Sequence, residues 1–204
     1  MPHWRQSGCT YFVTYRLADS ISKQVLRQWD RQKVEWLAER GFILQGEPWQ
    51  VGFEKLGEME KRTFQRKFSG TIESFLDEGR GSCVLGKRRA AQLVESSWRH
   101  FDGVRYTLHD LIIMPNHVHV MVTPSVGFEL ENILQGRKRH TAQEINAELG
   151  RSGQLWQKHS FDHVVRNRIQ FEKFSRYIAE NPLKAKLSKG DFLHYSESND
   201  RVMS

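Results

Sequence analysis

Two histidines separated by one residue, His117 and His119 in NHVHVMV, have types and a spacing that could do chemistry. Successive side chains of a strand point to opposite faces, so His117, His119 and Met121 would share one face and Val118, Val120 and Val122 the other. Two imidazoles side by side on an apolar backing suit one divalent cation held through two nitrogens, leaving room for a third ligand and a substrate oxygen. The alternation by itself also fits surface histidines, or core histidines with satisfied ring nitrogens. Further along, Tyr177 and Asn181 stand four apart in NRIQFEKFSRYIAENP, which stacks a phenol and an amide on one flank of a helix, within reach of the same small site. Beside them Phe171, Phe174 and Ile178 recur at i, i+3 and i+7, a narrow apolar stripe suited to packing on a sheet. An ordinary half-buried helix tyrosine with a hydrogen-bonded hydroxyl would explain Tyr177 as well.

The elements that must position these residues are readable from period and punctuation. CTYFVTYRL (residues 9–17) alternates aromatic and β-branched types and reads as a strand, with Asp19 and Ser20 as N-cap candidates for a helix from about Ile21 to Arg40. In that helix Val25, Trp29, Trp36 and Leu37 recur near helical spacing, and Gly41 supplies the stop. GFILQGEPWQVGFEKLGEM, with its glycines and proline, reads as a loop or short irregular connection. A second helix is expected over Glu60 to Leu76. After the punctuation of GRGSCVLG comes a third, about Lys87 to Phe101, with Ala90, Leu93, Val94 and Trp98 on one face. VRYTLHDLIIMPNHVHVMVTP reads as two strands joined at Pro115-Asn116, since proline cannot donate to a ladder and asparagine tolerates turn geometry. Helix returns from Phe128 to about Leu149, LWQKHSFDHVVR is extended, and Asn167 caps a last helix that ends at Asn181 before Pro182. The expected fold class is therefore α+β with a mainly antiparallel sheet.

The expected organisation is one domain over residues 1–190, with a helical insertion at about 20–102 and a flexible tail at 191–204. The net charge of +7 and pI near 9.5 draw the protein to polyanions, of which phosphate backbones are the commonest. Only Cys9 and Cys83 are present, in no CxxC spacing, which argues against a disulfide framework or zinc ribbon and fits a reducing cytosol. The N-terminus MPHWRQSGCT has no apolar core of a signal peptide, and no apolar run approaches the roughly 20 residues that span a bilayer. A soluble intracellular protein with no membrane partner is expected.

Taken together, YFVTYRLADS, GSCVL, MPNHVHVMVTP, KRHTAQEIN, LWQKHSFDHVVR and YIAENPLKAKL resemble the REP-associated tyrosine transposases of the HUH superfamily, and more distantly the transposases of small single-strand insertion sequences. The likeness runs from about residue 9 to residue 187. It implies a ferredoxin-like antiparallel sheet with packed helices, the HUH endonuclease fold, with the histidines on a central strand. It also implies that His117 and His119 are metal ligands, that Tyr177 is the nucleophile, and that Asn181 stands where the third ligand is expected. The implied activity is nicking and joining of single-stranded or hairpin DNA through a covalent 5′-phosphotyrosine, in the bacterial cytosol with the nucleoid, by a monomer or homodimer. Mg²⁺ or Mn²⁺ is the family's cation; ligand softness alone would equally allow Zn²⁺, Co²⁺ or Ni²⁺.

Lys138 matches the family's lysine, and Arg137, Lys138 and Arg139 form a basic run suited to phosphate, although a solvated helix face explains the two arginines equally. Trp156 suits stacking on a base or a place in the core, and Arg166 with Asp162 suits DNA or an internal ion pair. Two features depart from the family pattern: Lys186 replaces a glycine, and two helices intervene between the first strand and the histidine strand. The rival readings are a domesticated, non-cleaving protein that binds hairpin DNA or RNA, and an unrelated metal hydrolase that activates water.

Overall fold

The computed structural model describes residues 8–197. In chain order its elements are β1 (Thr10–Arg16), α1 (Lys23–Ala38), α2 (Trp49–Glu54), α3 (Glu58–Asp77), α4 (Arg88–Arg99), β2 (Tyr106–Ile113), β3 (His117–Pro124), α5 (Leu130–Glu148), β4 (Phe161–Val165), α6 (Arg168–Lys184) and β5 (Leu193–Ser196), with a 3-10 turn at Val84–Gly86 before α4. The chain divides into two compact units, one of residues 1–20 with 79–204 and one of Ile21–Glu78.

The first unit is built on a five-stranded sheet of order β4-β1-β3-β2-β5 in which every neighbouring pair is antiparallel. The run β1-α4-β2-β3-α5-β4, with its strands ordered β4-β1-β3-β2, is the ferredoxin-like arrangement, and β5 is an added edge strand. Alternation along β3 divides the sheet as the sequence predicts. Val118, Val120 and Val122 are fully buried with Tyr11, Val13, Tyr15 and Leu111 in a core that takes Ala90, Val94 and Trp98 from α4 and Leu130, Ile133 and Ile145 from α5. On the other face Met121, Phe12 and Ile112 pack with Ile178, Phe171, Phe174 and Tyr177 of α6. The Phe171, Phe174 and Ile178 stripe thus meets the sheet on the side that carries the histidines.

The second unit has its own small cores. Trp36, Leu37, Leu44, Phe53, Phe64 and Phe68 form one, and Ile21, Trp29 and Leu76 another. Its ten Lys and Arg balance ten Asp and Glu, so the whole net charge of +7 belongs to the rest of the chain.

Several expectations are corrected. The compact helical unit ends at Glu78, whereas the expected insertion ran to about 102; α4 belongs with the sheet, because its Ala90–Val94–Trp98 face fills the sheet's core. The N-cap of α1 is Ser22, whose side chain accepts Val25 N, while Asp19 instead receives Ser82 N and Ser20 Oγ donates to Leu17 O. The expected loop at 41–59 contains α2, whose Phe53 is buried against Phe64. The last helix continues through Pro182 to Lys184; Ala185 N donates to Asn181 O and Leu187 N to Pro182 O, closing its end despite the missing proline N–H. Lys186 lies at φ 56°, the left-handed conformation that favours glycine, so the family's glycine at this place has a backbone reason. Finally, part of the expected tail forms β5, which pairs with β2 and buries Tyr195 and Ser196; residues 198–204 lie outside the described ones.

Candidate active site between the sheet and the last helix

β3 is central in the sheet, so both histidines are fully enclosed: His117 and His119 are each 1% exposed. Across the register His119 faces Thr14 on β1 and Ile112 on β2. Each imidazole is held at its Nδ1. Thr14 Oγ1 lies 2.7 Å from His119 Nδ1, and Asn116 Oδ1 lies 2.7 Å from His117 Nδ1. The two Nε2 atoms consequently converge, 3.0 Å apart. Burial pushes His117 down to about 3, opposed by its contact with Asn181. Burial also holds His119 well below the usual imidazole range, with the neighbouring His117 adding to the effect. Both rings are therefore neutral at pH 7, the form in which a histidine nitrogen binds a cation.

α6 closes the site from above. Asn167 caps it by accepting Gln170 N, and the Phe174–Phe12 stack, 4.5 Å between centroids, fixes it on the sheet. Asn181 is completely buried, with its Nδ2 3.4 Å from His119 Nε2. Its Oδ1 is buried without a hydrogen-bond partner. A buried amide oxygen left unpaired costs roughly 1–3 kcal/mol, a cost that a bound cation or water would offset. One turn earlier, the half-buried Tyr177 ring stands edge-on to His119 at 5.3 Å and to Phe12 at 5.7 Å. The two imidazole Nε2 atoms and the side-chain amide of Asn181 thus meet at one point, with a phenol beside them. This donor set fits a divalent cation, and the unpaired Oδ1 is the observation that tests the fit. Among the described residues no group of three His, Cys, Asp or Glu could hold a metal ion.

Three members of this arrangement escape sequence reasoning. Lys184, seven residues beyond Tyr177 and so on the same side of α6, places Nζ 4.7 Å over the tyrosine ring. Phe12 stacks on His119 at 5.4 Å, and Thr14 orients the same ring. The helical interval was the available signal for Lys184. Phe12 and Thr14 depend on the β1–β3 register, which no local pattern reveals.

The residues expected to contact DNA are dispersed. Lys138 Nζ donates to Ser160 Oγ at 2.7 Å and to the carbonyls of Gln157 and Lys158, tying α5 to the segment before β4. Burial and the nearby Arg16 push it down to about 8. Lys138, the exposed Arg139, Lys158 and His159 line a cleft of about 650 Å³. Arg166 is exposed at the end of β4. Arg137 and Trp156 are corrections. Arg137 is 9% exposed, donates to Ser97 O and lies over the Phe101 ring at 4.7 Å, so its guanidinium joins α5 to the end of α4. Trp156 is 5% exposed, donates to Thr141 Oγ1 and packs edge-on against Tyr15, which leaves no ring face for a base.

Residues 82–181 match the family model described as "Transposase IS200 like". The matched segment begins just before α4 and ends at Asn181, so it holds both histidines, the tyrosine and the amide. A solved structure described as "Structure of the REP associates tyrosine transposase bound to a REP hairpin" is similar at 16% identity and a TM-score of 0.45, covering 93% of this chain and 77% of that one. No curated protein matches this chain. Among the described residues no helix is long and apolar enough to cross a membrane.

Proposed function

We propose, from the premise that this chain belongs through residues 82–181 to the IS200-like transposases, that it nicks and rejoins single-stranded DNA, hairpin DNA in particular, through a covalent link to Tyr177. The observation that carries the reading is the meeting of two imidazole Nε2 atoms and the buried Asn181 amide, its oxygen unpaired, beside a helix phenol.

His117, His119 and Asn181 would hold a divalent cation, Mg²⁺ or Mn²⁺. When bound there, such an ion supplies polarisation of a phosphate oxygen and offsets the charge that builds on it. The chain's own residues do the rest. Phe12 and Phe174 fix the height of α6 above the sheet, which sets where the Tyr177 hydroxyl lies relative to the histidines. A phenol is almost wholly neutral at pH 7 and attacks a phosphodiester slowly. The Lys184 ammonium lies 4.7 Å over its ring, and Glu180 is 3.6 Å from the same nitrogen, so this lysine stands beside the nucleophile. Attack by Tyr177 Oη on phosphorus forms the tyrosyl phosphodiester and breaks the bond to the 3′ oxygen, leaving a 5′-phosphotyrosine and a free 3′-hydroxyl. Because the link conserves the phosphodiester, a second 3′-hydroxyl can reverse the step without ATP. The exposed Arg139 and Arg166 would hold the phosphate backbone, with Lys138 fixing the segment beside them, and the work would be done in the cytosol.

The test is incubation of wild type and Tyr177→Phe with labelled single-stranded hairpin DNA and Mg²⁺ or Mn²⁺. A denaturation-resistant protein–DNA adduct is expected with wild type alone. Free 5′-phosphate products from both proteins would make water the nucleophile, and binding without cleavage by either would make the protein a non-cleaving hairpin binder.

A further inference from the structure

The segment at residues 79–86, GRGSCVLG, takes no part in the site just described, yet it is pinned to the turn that launches β3. Leu85 N donates to Pro115 O at 3.1 Å, and Arg80 O accepts Asn116 Nδ2 at 3.1 Å. Its other side is fastened to the end of β1. Ser82 N donates to Asp19 Oδ2 at 3.0 Å, and Gly81, at φ +91°, lies so near that a Cβ would fall 2.8 Å from Asp19 O. Only glycine allows both that conformation and that approach.

Asn116 is 1% exposed, so its amide has defined partners. The NH₂ group is its only side-chain donor and must face the Arg80 carbonyl; a flipped amide would set oxygen against oxygen. Oδ1 is thereby turned to His117 Nδ1 at 2.7 Å. An amide oxygen cannot donate, so Nδ1 carries the ring proton and Nε2 keeps its lone pair. That Nε2 is the atom 3.0 Å from His119 Nε2.

We infer that Asn116, locked by the 79–86 strap, is a positioning residue that holds His117 in its Nδ1–H tautomer and so aims a lone pair at the cation site. The inference rests on the metal-site reading above, but the tautomer relay is a property of the metal-free protein. Partners of this kind typically change metal affinity by about ten- to a hundredfold when removed. The strap is the stretch that joins the helical unit back to the sheet unit, so its sequence is constrained by the site and not by connection alone.

Imidazole nitrogen NMR on the metal-free full chain at pH 7 reads the tautomer, and Mn²⁺ titration followed by its electron paramagnetic resonance reads affinity. Wild type is expected to show His117 protonated at Nδ1. Asn116→Ala should release the Nε2–H form and weaken Mn²⁺ binding by about ten- to a hundredfold, and Asn116→Asp, which keeps an acceptor for Nδ1–H but loses the donor to Arg80 O, should return the wild-type tautomer with an affinity between those of wild type and Asn116→Ala. Gly81→Ala should shift both readouts in the direction of Asn116→Ala; if it moves neither, the strap has no part in the relay. A wild-type tautomer and wild-type affinity in Asn116→Ala would overturn the inference. Failure of wild type to bind Mn²⁺, with the tautomer still switching in Asn116→Ala, would instead sink the metal reading and uphold the relay.

Discussion

The two faces of β3 share one backbone and are equally buried, yet they meet different demands. On one, Val118, Val120 and Val122 disappear among the side chains of α4 and α5, with no polar atom to satisfy. On the other, His117 and His119 are as deeply buried, and their Nδ1 atoms depend on single partners supplied by Asn116 and Thr14. The helix covering that face adds a buried amide oxygen with no partner. The valine face is arranged for stability. The histidine face carries polar groups whose burial is unfavourable by itself, and in the proposed mechanism a cation and a phosphate would complete it.

Substitutions on one strand separate the two demands. His119→Ala should lower cleavage of hairpin DNA by several kcal/mol of barrier, on the order of 10³-fold, through loss of one cation donor. Hairpin binding measured by fluorescence anisotropy should stay within about twofold, since the phosphate contacts lie elsewhere; unchanged cleavage would remove the metal assignment. Val120→Ala, one residue along, should do the opposite. Its fully buried side chain leaves a cavity, so urea unfolding should register a loss of about 2 kcal/mol. Cleavage per folded molecule should remain at the wild-type level. If instead Val120→Ala impaired cleavage as strongly as His119→Ala, the division of labour between faces would be false.

A subtler contrast exists within the site face, where α6 is anchored by Ser175 Oγ donating to Asp110 Oδ2 at 2.6 Å. Asp110 is 3% exposed and sits at the irregularity in the β2–β3 register. Ser175→Ala removes this hydrogen bond and leaves His194 Nε2, 3.6 Å away, beside the carboxylate. A cost of about 1–2 kcal/mol is expected in urea unfolding. Cleavage should fall too, because Tyr177 lies two residues further along the same helix; a stability loss with full activity would show that the anchor does not position the tyrosine.

How much of this was legible follows the same contrast. Period-two alternation made the faces of β3 readable, and the i, i+3, i+7 stripe of α6 named the surface that meets the sheet. The order of strands and the placement of α4 within the sheet unit depended on long-range packing, which is why the helical unit was drawn too long. Local chemistry misled where three residues offered the same service: Asp19, Ser20 and Ser22 all suit an N-cap, and only Ser22 performs it. Arg137 and Trp156 misled for another reason. Both have a long apolar body with a polar tip, and their tips found Ser97 O and Thr141 Oγ1 inside the protein instead of a nucleic acid. The unpaired Oδ1 of Asn181 lies beyond any sequence pattern, being defined by what its surroundings lack.

The smallest expected effect concerns Lys138, whose ammonium is drawn under the 157–160 segment on the α5 side of the molecule. Burial and Arg16 lower its folded-state pKa to about 8 from an ordinary 10.5. Below pH 8 both the folded and the unfolded chain carry this proton, and the unfavourable burial of the charge is fully present. Between pH 8 and 10.5 the unfolded chain binds a proton that the folded protein has released, so this group makes stability rise with pH. Tyr15 and Tyr106, both raised by burial, push the other way above pH 10, where the unfolded chain releases phenol protons that the folded one retains. The Lys138 contribution is therefore isolated as a difference: the stability of wild type relative to Lys138→Met should increase from pH 8 to pH 10 in paired urea unfolding curves. A flat difference would mean that the three oxygen acceptors around Nζ compensate the ammonium's burial, and Lys138 would then belong among the charges held comfortably in the structure.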